Sequence, residues 1–90
     1  MTSKKQRGVA LVTGAASGIG RAAAEAFVRR GYATAMADVN QEAGRQAEAE
    51  LRRWGECTFF RCDVTDDATV EQTVAQTVET YGGLTAVFNA

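Results

Sequence analysis

Apolar residues cluster in four short strand-like runs, and between these runs they recur every three or four positions. The run at 8–13 is continuous, which is typical of a strand buried on both faces of a parallel sheet, and those at 33–37, 57–62 and 84–89 predict three further short strands. The three segments between them have the spacing of amphipathic helices. We therefore predict the order β-α-β-α-β-α-β, an α/β class fold with a parallel sheet in the strand order 3-2-1-4 and helices on both faces.

The helical segments also carry predictions about individual side chains. In the first, which ends near Arg30, Arg21 is expected to pair with Glu25, although it could instead reach toward a phosphate. The second is expected to open after an Asn40 cap and to run to about Trp54, with Trp54 on its buried face and the charged residues, Glu48 among them, on a solvated face. The buried face of the third helix is predicted to contain Val70, Val74, Val78 and Tyr81.

A glycine-rich turn joins the first strand to the first helix, and it reads Thr-Gly-Ala-Ala-Ser-Gly-Ile-Gly over residues 13–20. Without Cβ atoms at Gly14, Gly18 and Gly20, the chain can turn sharply and let a ligand approach the backbone. Backbone N–H groups at a helix start suit a phosphate. The Gly-Lys-Ser/Thr of a P-loop is missing, because Ile19-Gly20-Arg21 stands in its place.

Polar residues follow the other three strands at the same predicted edge of the sheet. Asp38 comes 24 residues after Gly14, Asp63 follows the third strand, and Asn89 ends the fourth. An acidic residue placed like Asp38 can accept hydrogen bonds from ribose hydroxyls and would repel a 2′-phosphate, which favours NAD over NADP. The alternative is a strand-end carboxylate that only caps the next helix.

Composition narrows the function classes further. The 90 residues are 46% hydrophobic and 23% charged, with a net charge of −1, so a basic nucleic-acid surface and a membrane span are both disfavoured. The absence of histidine removes the commonest general base and metal ligand, and no metal site is predicted. Cys57 and Cys62 should point to opposite faces of the sheet as free, buried thiols. Residues 1–7 are expected to be a flexible, solvated lead-in, and the protein to be cytoplasmic.

These motifs, taken in order from residue 8 onward, resemble the short-chain dehydrogenase/reductase family. The resemblance implies that Asp38, with Val39 beside it, holds the adenosine ribose, and that Asp63 and Val64 contact the adenine ring. Asn89 matches the first Asn of the family's Asn-Asn-Ala-Gly motif, with Ala90 where the second Asn would stand. In the alternative register, Phe88 replaces the first Asn and Ala90 is the motif's Ala, and in either register one Asn is missing. The alternative for Asn89 is a polar end to a buried strand. The residues implied to surround the pyrophosphate and the adjacent ribose are Gly14, Ser17, Gly18, Ile19 and Gly20.

The same resemblance implies an NAD-dependent oxidoreductase that acts on a small carbonyl/alcohol substrate, and a homo-oligomer is compatible with it. The family's catalytic Ser and Tyr-x-x-x-Lys are not found, since Tyr81 is followed by Gly-Gly-Leu-Thr. No catalytic residue is therefore assigned, and residues 1–90 are expected to be a partial NAD-binding Rossmann domain, truncated after its fourth strand. A non-catalytic nucleotide-binding module or fragment is the alternative, and a Rossmann-like methyltransferase is disfavoured by the glycine pattern.

Overall fold

A computed structural model describes residues 7–90, so the predicted lead-in lies outside the described residues apart from Arg7. The Arg7 side chain is exposed, and its backbone N–H donates to the Gly31 carbonyl (3.1 Å). Strands and helices alternate along the described chain in the predicted order. Their bounds are β1 Gly8–Thr13, α1 Gly18–Arg29, β2 Tyr32–Asp38, α2 Gln41–Leu51, β3 Cys57–Arg61, α3 Asp67–Tyr81 and β4 Ala86–Asn89.

The four strands form one parallel sheet in the order β3-β2-β1-β4, which confirms the predicted topology. Thr13, the last residue of β1, lies opposite Ala37 of β2 and Asn89 of β4. One position further along β2, Asp38 lies opposite Arg61 of β3. The carboxyl ends of all four strands are therefore aligned along one edge of the sheet.

Helices cover both faces of this sheet, as predicted. One core cluster joins α1 and α2 to the sheet through residues such as Val28, Met36 and Leu51, and Cys57 belongs to it. A second cluster on the opposite face joins α3 to the sheet, and Cys62 belongs to that one. Both cysteines are free and buried, so the prediction of two separate thiols on opposite faces is confirmed.

The buried face of α3 differs from the prediction. Thr73 and Thr77 are its buried residues, whereas Val78 is 42% exposed, so the placement of Val78 in the core was wrong. Each threonine hydroxyl donates to the carbonyl one turn earlier (2.8 Å), which satisfies the polar group within the helix and allows the residue to be buried. Tyr81 is half-buried, and its hydroxyl lies 2.7 Å from the Thr58 hydroxyl on β3.

Helix α2 begins after Asn40 as predicted but ends at Leu51, three residues before Trp54. Trp54 is exposed and lies under the Arg29 guanidinium (3.7 Å to the ring centroid), so its predicted place on the buried face was wrong. The prediction for Glu48 also fails, because this side chain is only 7% exposed. Its carboxylate accepts a hydrogen bond from the Phe59 backbone N–H (2.7 Å) and so ties α2 to the free edge of β3.

One ion pair of α1 joins it to α2, and another lies within α1 at the i, i+4 spacing. Arg21 pairs with Glu50 on α2, so the expected Arg21–Glu25 pair was wrong. Glu25 instead forms a salt bridge with Arg29, one turn further along α1 (3.0 Å between Arg29 Nε and Glu25 Oε2). Arg21 therefore links the two helices that share one face of the sheet.

Candidate functional site

The glycine-rich loop between β1 and α1 depends on three glycines for different reasons. Gly14 and Gly18 have φ values of 64° and 61°, a region that side chains with a Cβ rarely adopt. Gly20 is buried in the first turn of α1, and a Cβ there would lie 2.5 Å from the Gly14 carbonyl carbon and 2.9 Å from the Thr13 oxygen. The start of α1 therefore rests directly on the backbone of the loop.

The N-terminus of α1 is open, unlike those of the other two helices. Its cap residue, Ser17, makes no side-chain capping hydrogen bond, whereas Asn40 and Asp66 accept from backbone N–H groups of α2 and α3 (3.0 Å each). The first hydrogen bond within α1 runs from the Arg21 N–H to the Ser17 carbonyl (3.3 Å). The three N–H groups before Arg21 have no carbonyl partner within the helix and, with the helix dipole, can hold an anion.

Asp38 connects the end of β2 to this loop. Its Oδ2 accepts a hydrogen bond from the Ala16 backbone N–H (3.0 Å), and its Oδ1 accepts from the Asn40 N–H (2.9 Å). Next to it, the Ala15 N–H donates to the Ala37 carbonyl (3.1 Å). The carboxylate is thus fixed beside the glycine loop and still half-exposed, which leaves it able to accept further hydrogen bonds.

Asp63 lies beyond the end of β3, in the loop that leads to α3. Its Oδ1 accepts from both the Thr65 hydroxyl (2.6 Å) and the Thr65 N–H (3.0 Å). These two hydrogen bonds, the hydroxyl's first, lower the pKa of the Asp63 carboxyl below its ordinary value. Asp63 is therefore ionised at neutral pH. Both hydrogen bonds from Thr65 use Oδ1, so Oδ2 can accept a further hydrogen bond.

Asn89 ends β4 and is tied to the strand beside it. The Thr13 hydroxyl donates to its Oδ1 (3.1 Å). Both residues line a cleft of about 210 Å³ between the carboxyl ends of the strands and the first half of α3. The remaining lining residues are Leu11, Ala37, Cys62, Val64, Asp67, Val70 and Thr73.

Apolar side chains are exposed around this edge of the sheet. Ile19 at the start of α1, Val39 after β2 and Val64 after β3 are all more than half exposed (73%, 53% and 56%). These three side chains follow the open helix end, Asp38 and Asp63 in the chain. Exposed apolar side chains beside polar groups are typical of a surface that a partly apolar ligand covers.

The topology thus gathers all ten predicted binding positions at the carboxyl ends of the four strands. Sequence reasoning missed Ala15 and Ala16, which are buried and carry the two N–H groups that fasten the loop to β2. Their small size between two glycines was the available signal. Within residues 7–90 no group of three His, Cys, Asp or Glu residues could hold a metal ion. No helix in that same range is long and apolar enough to cross a membrane.

Comparison with known proteins points in one direction. A family model described as short chain dehydrogenase matches residues 8–90. The 2,5-dichloro-2,5-cyclohexadiene-1,4-diol dehydrogenase of Sphingobium indicum is 44% identical over 79 residues, which are 88% of this chain and 31% of that protein. Human 15-hydroxyprostaglandin dehydrogenase (NAD(+)) is 44% identical over 84 residues, which cover 90% of this chain and 32% of that protein.

A solved structure agrees with the two sequence relatives. The crystal structure of a short chain dehydrogenase/reductase from Burkholderia phymatum in complex with NAD is 32% identical and superimposes with a TM-score of 0.88. The match covers 91% of this chain and 30% of that one. The chain therefore spans about a third of the length of the relatives it matches.

Proposed function

The chain belongs to the short chain dehydrogenase family, and from this premise we propose that residues 8–90 supply the adenosine and pyrophosphate end of an NAD site. In this proposal the site is part of an oxidoreductase that moves a hydride between the nicotinamide ring and a carbonyl/alcohol pair. NAD, when bound, supplies the hydride chemistry. The residues described above bind and orient it.

One observation carries the proposal: the open N-terminus of α1 and the Asp38 carboxylate are held together by a 3.0 Å hydrogen bond at Ala16. A dinucleotide presents a pyrophosphate and, a few ångströms away, a pair of ribose hydroxyls. Free N–H groups at a helix start complement the first, and a carboxylate complements the second. Around the pyrophosphate we assign Gly14, Ser17, Gly18, Ile19 and Gly20.

The charge around Asp38 favours NAD over NADP. Its carboxylate would repel a 2′-phosphate, and the residues that follow it, Val39 and Asn40, carry no positive charge to compensate. Ser17, on the glycine loop, is also neutral. The human 15-hydroxyprostaglandin dehydrogenase (NAD(+)) and the Burkholderia phymatum enzyme solved with NAD support the same preference.

The adenine end of the cofactor is assigned to the other two strand ends. We place the ring between Asp63, whose free carboxylate oxygen can accept a hydrogen bond from an amino group, and the exposed apolar side chain of Val64. The cleft that reaches to Asn89, at about 210 Å³, is smaller than the roughly 300–1,000 Å³ of ordinary ligand pockets, so it suits one end of a ligand and not a whole dinucleotide.

Residues 7–90 receive a binding role only. In this family a Ser and a Tyr-x-x-x-Lys carry the accompanying proton transfer, and the described residues do not contain that motif. Tyr81 cannot take the place of the family's catalytic Tyr. Burial raises the pKa of its hydroxyl, and that hydroxyl is hydrogen-bonded to the Thr58 hydroxyl on β3.

A fluorescence titration with NADH and with NADPH tests the proposal. We expect NADH to bind more tightly than NADPH and Asp38→Ala to reduce that preference, while Glu79→Ala, which removes an exposed charge on α3, leaves both affinities unchanged. Tighter binding of NADPH would overturn the NAD assignment, and binding of neither would overturn the site.

A further inference from the structure

We infer that Asp38 also positions the glycine loop, through the Ala16 N–H, in the absence of any cofactor. The inference extends the proposed function, in which Asp38 only accepts hydrogen bonds from a ribose. It makes the same carboxylate responsible for the shape of the pyrophosphate site. Asp38 is thus a positioning residue as well as a binding residue.

The geometry that carries the inference is a pair of adjacent hydrogen bonds from the loop to the end of β2. The Ala15 N–H donates to the Ala37 carbonyl (3.1 Å), and the Ala16 N–H donates to Asp38 Oδ2 (3.0 Å). The first is backbone to backbone and survives any side-chain change. The second depends on the identity of one side chain.

The carboxylate itself is held in place from its other side. Asp38 Oδ1 accepts the Asn40 N–H (2.9 Å), and the Asn40 side chain in turn accepts the Ala43 N–H at the start of α2 (3.0 Å). A side chain fixed at both oxygens presents Oδ2 to the loop in one orientation. The loop is therefore held in position by the end of β2 and the start of α2 as well as by its covalent connection to β1.

Two features of the loop indicate that it depends on the hydrogen bond from the Ala16 N–H to Asp38, here called the tether. Ala16 is 8% exposed, so its N–H would lose a charged acceptor in a buried setting if Asp38 were truncated. The flanking residues Gly14 and Gly18 both have positive φ values and allow many other backbone conformations. Without the tether, we expect the loop to leave the conformation that presents the N–H groups of α1 to an anion.

The two roles of Asp38 do not compete. A carboxylate offers about four lone-pair sites, and the two backbone N–H groups use two of them, so two remain for ribose hydroxyls. If the positioning role is real, a ligand that lacks those hydroxyls must therefore still bind more weakly when Asp38 is replaced. This consequence separates the inference from the proposed function.

Calorimetric titrations measure this positioning role. ADP and 2′,3′-dideoxy-ADP are each titrated into the full wild-type chain and into the full chain carrying Asp38→Ala. We expect the variant to bind dideoxy-ADP more weakly by about threefold to tenfold, because only a fraction of its loops is competent. Glu42→Gln, which removes a nearby exposed charge on α2, controls for the general effect of charge on binding an anion. Equal affinity of Asp38→Ala and wild type for dideoxy-ADP would overturn the inference.

Amide hydrogen exchange of the ligand-free protein gives the second readout. In Asp38→Ala the Ala16 amide should exchange faster by on the order of 10- to 100-fold, while the Met36 amide in the core keeps its wild-type rate and reports an intact fold. If Asp38→Ala does not fold, Asp38→Asn replaces it. The two amides donate to different oxygens of Asp38, and in this variant one of those positions is an NH2 group that cannot accept, so the Ala16 or the Asn40 amide must exchange faster.

The exchange result separates the two hypotheses. Faster exchange at Ala16 in a protein that binds no nucleotide would uphold the positioning role and reject the NAD site. Unchanged exchange at Ala16 in Asp38→Ala, in a protein whose wild type binds ADP more tightly than dideoxy-ADP, would reject the positioning role and uphold the ribose contact.

Discussion

Substitution of Gly20 by alanine tests how the start of α1 supports the glycine-rich loop to which we assign the pyrophosphate. The added Cβ would lie 2.5 Å from the carbonyl carbon of Gly14 and 2.9 Å from the oxygen of Thr13. Both obstacles are backbone atoms, which cannot rotate away as the end of a side chain would. Either α1 moves off the loop or the turn at Gly14 is reshaped, and each outcome displaces the N–H groups at the helix start.

The expected cost follows from overpacking of a buried site. Such substitutions destabilise by about 1–3 kcal/mol, and alanine recovers up to about 1 kcal/mol because it is the better helix former. A net loss of about 1 kcal/mol lowers the Tm by roughly 4–8 °C in a domain of this size. Because the displaced atoms are those assigned to the pyrophosphate, we expect NADH affinity to fall by at least about tenfold, which corresponds to about 1.4 kcal/mol.

Thermal unfolding followed by circular dichroism and NADH titration measure the two effects on the same samples. Gly83→Ala is the matched control, because a Cβ there meets no heavy atom within 4 Å and the backbone has an ordinary φ. Gly18→Ala separates strain from collision, since its Cβ also has open space but φ is 61°. If Gly20→Ala keeps the Tm and NADH affinity of Gly83→Ala, the close contact between α1 and the loop is not what shapes the site.

Three further predictions concern the packing that supports the sheet. Glu48→Ala leaves the Phe59 N–H without its acceptor and should reduce the free energy of unfolding in urea by about 1–3 kcal/mol, with a smaller loss for Glu48→Gln. Burial raises the pKa of the Cys57 thiol from 9.0 to about 11, so the protonated thiol favours the folded state; this contribution is complete below pH 9.0 and is lost as pH rises toward 11. The free energy of unfolding in urea of wild type, relative to that of Cys57→Ala, should therefore fall across this window, and a constant difference between the two would contradict the prediction. Thr77→Asp should unfold the chain at a far lower urea concentration than Val78→Asp, because Thr77 is fully buried and Val78 is 42% exposed; the reverse order would contradict the orientation of α3.

Much of the fold could be predicted because its signals are local. The change between continuous apolar runs and helical spacing marks each element, and Gly31 and Gly82, both with positive φ, stop α1 and α3 where a helix must end. Four strands joined by three helices leave few topologies, since parallel crossovers are right-handed. The positions of Asp38, Asp63 and Asn89 at one edge then follow from the topology alone.

The errors in α3 and α2 share a physical cause. A hydropathy pattern ranks Val78 above Thr77, but a threonine can satisfy its hydroxyl on its own helix and so be buried. It likewise treats Glu48 as solvated, but a buried carboxylate is stable where a backbone N–H on a strand edge needs an acceptor. In both cases the polar side chain is satisfied by a backbone group, which a hydropathy pattern does not represent.

The same limit applies to the candidate site, where it has functional consequences. Sequence spacing identifies Asp38 as an acceptor for a ligand because it lies at a strand end after a glycine turn. It does not reveal that the Ala16 N–H, 22 residues earlier, uses one oxygen of that carboxylate in the folded chain. On the proposed function, a change at Asp38 made to admit NADP would therefore remove a repulsive charge and, in the same step, release the loop to which we assign the pyrophosphate. We expect cofactor preference in this chain to be exchanged only when a second substitution supplies the Ala16 N–H with a new acceptor.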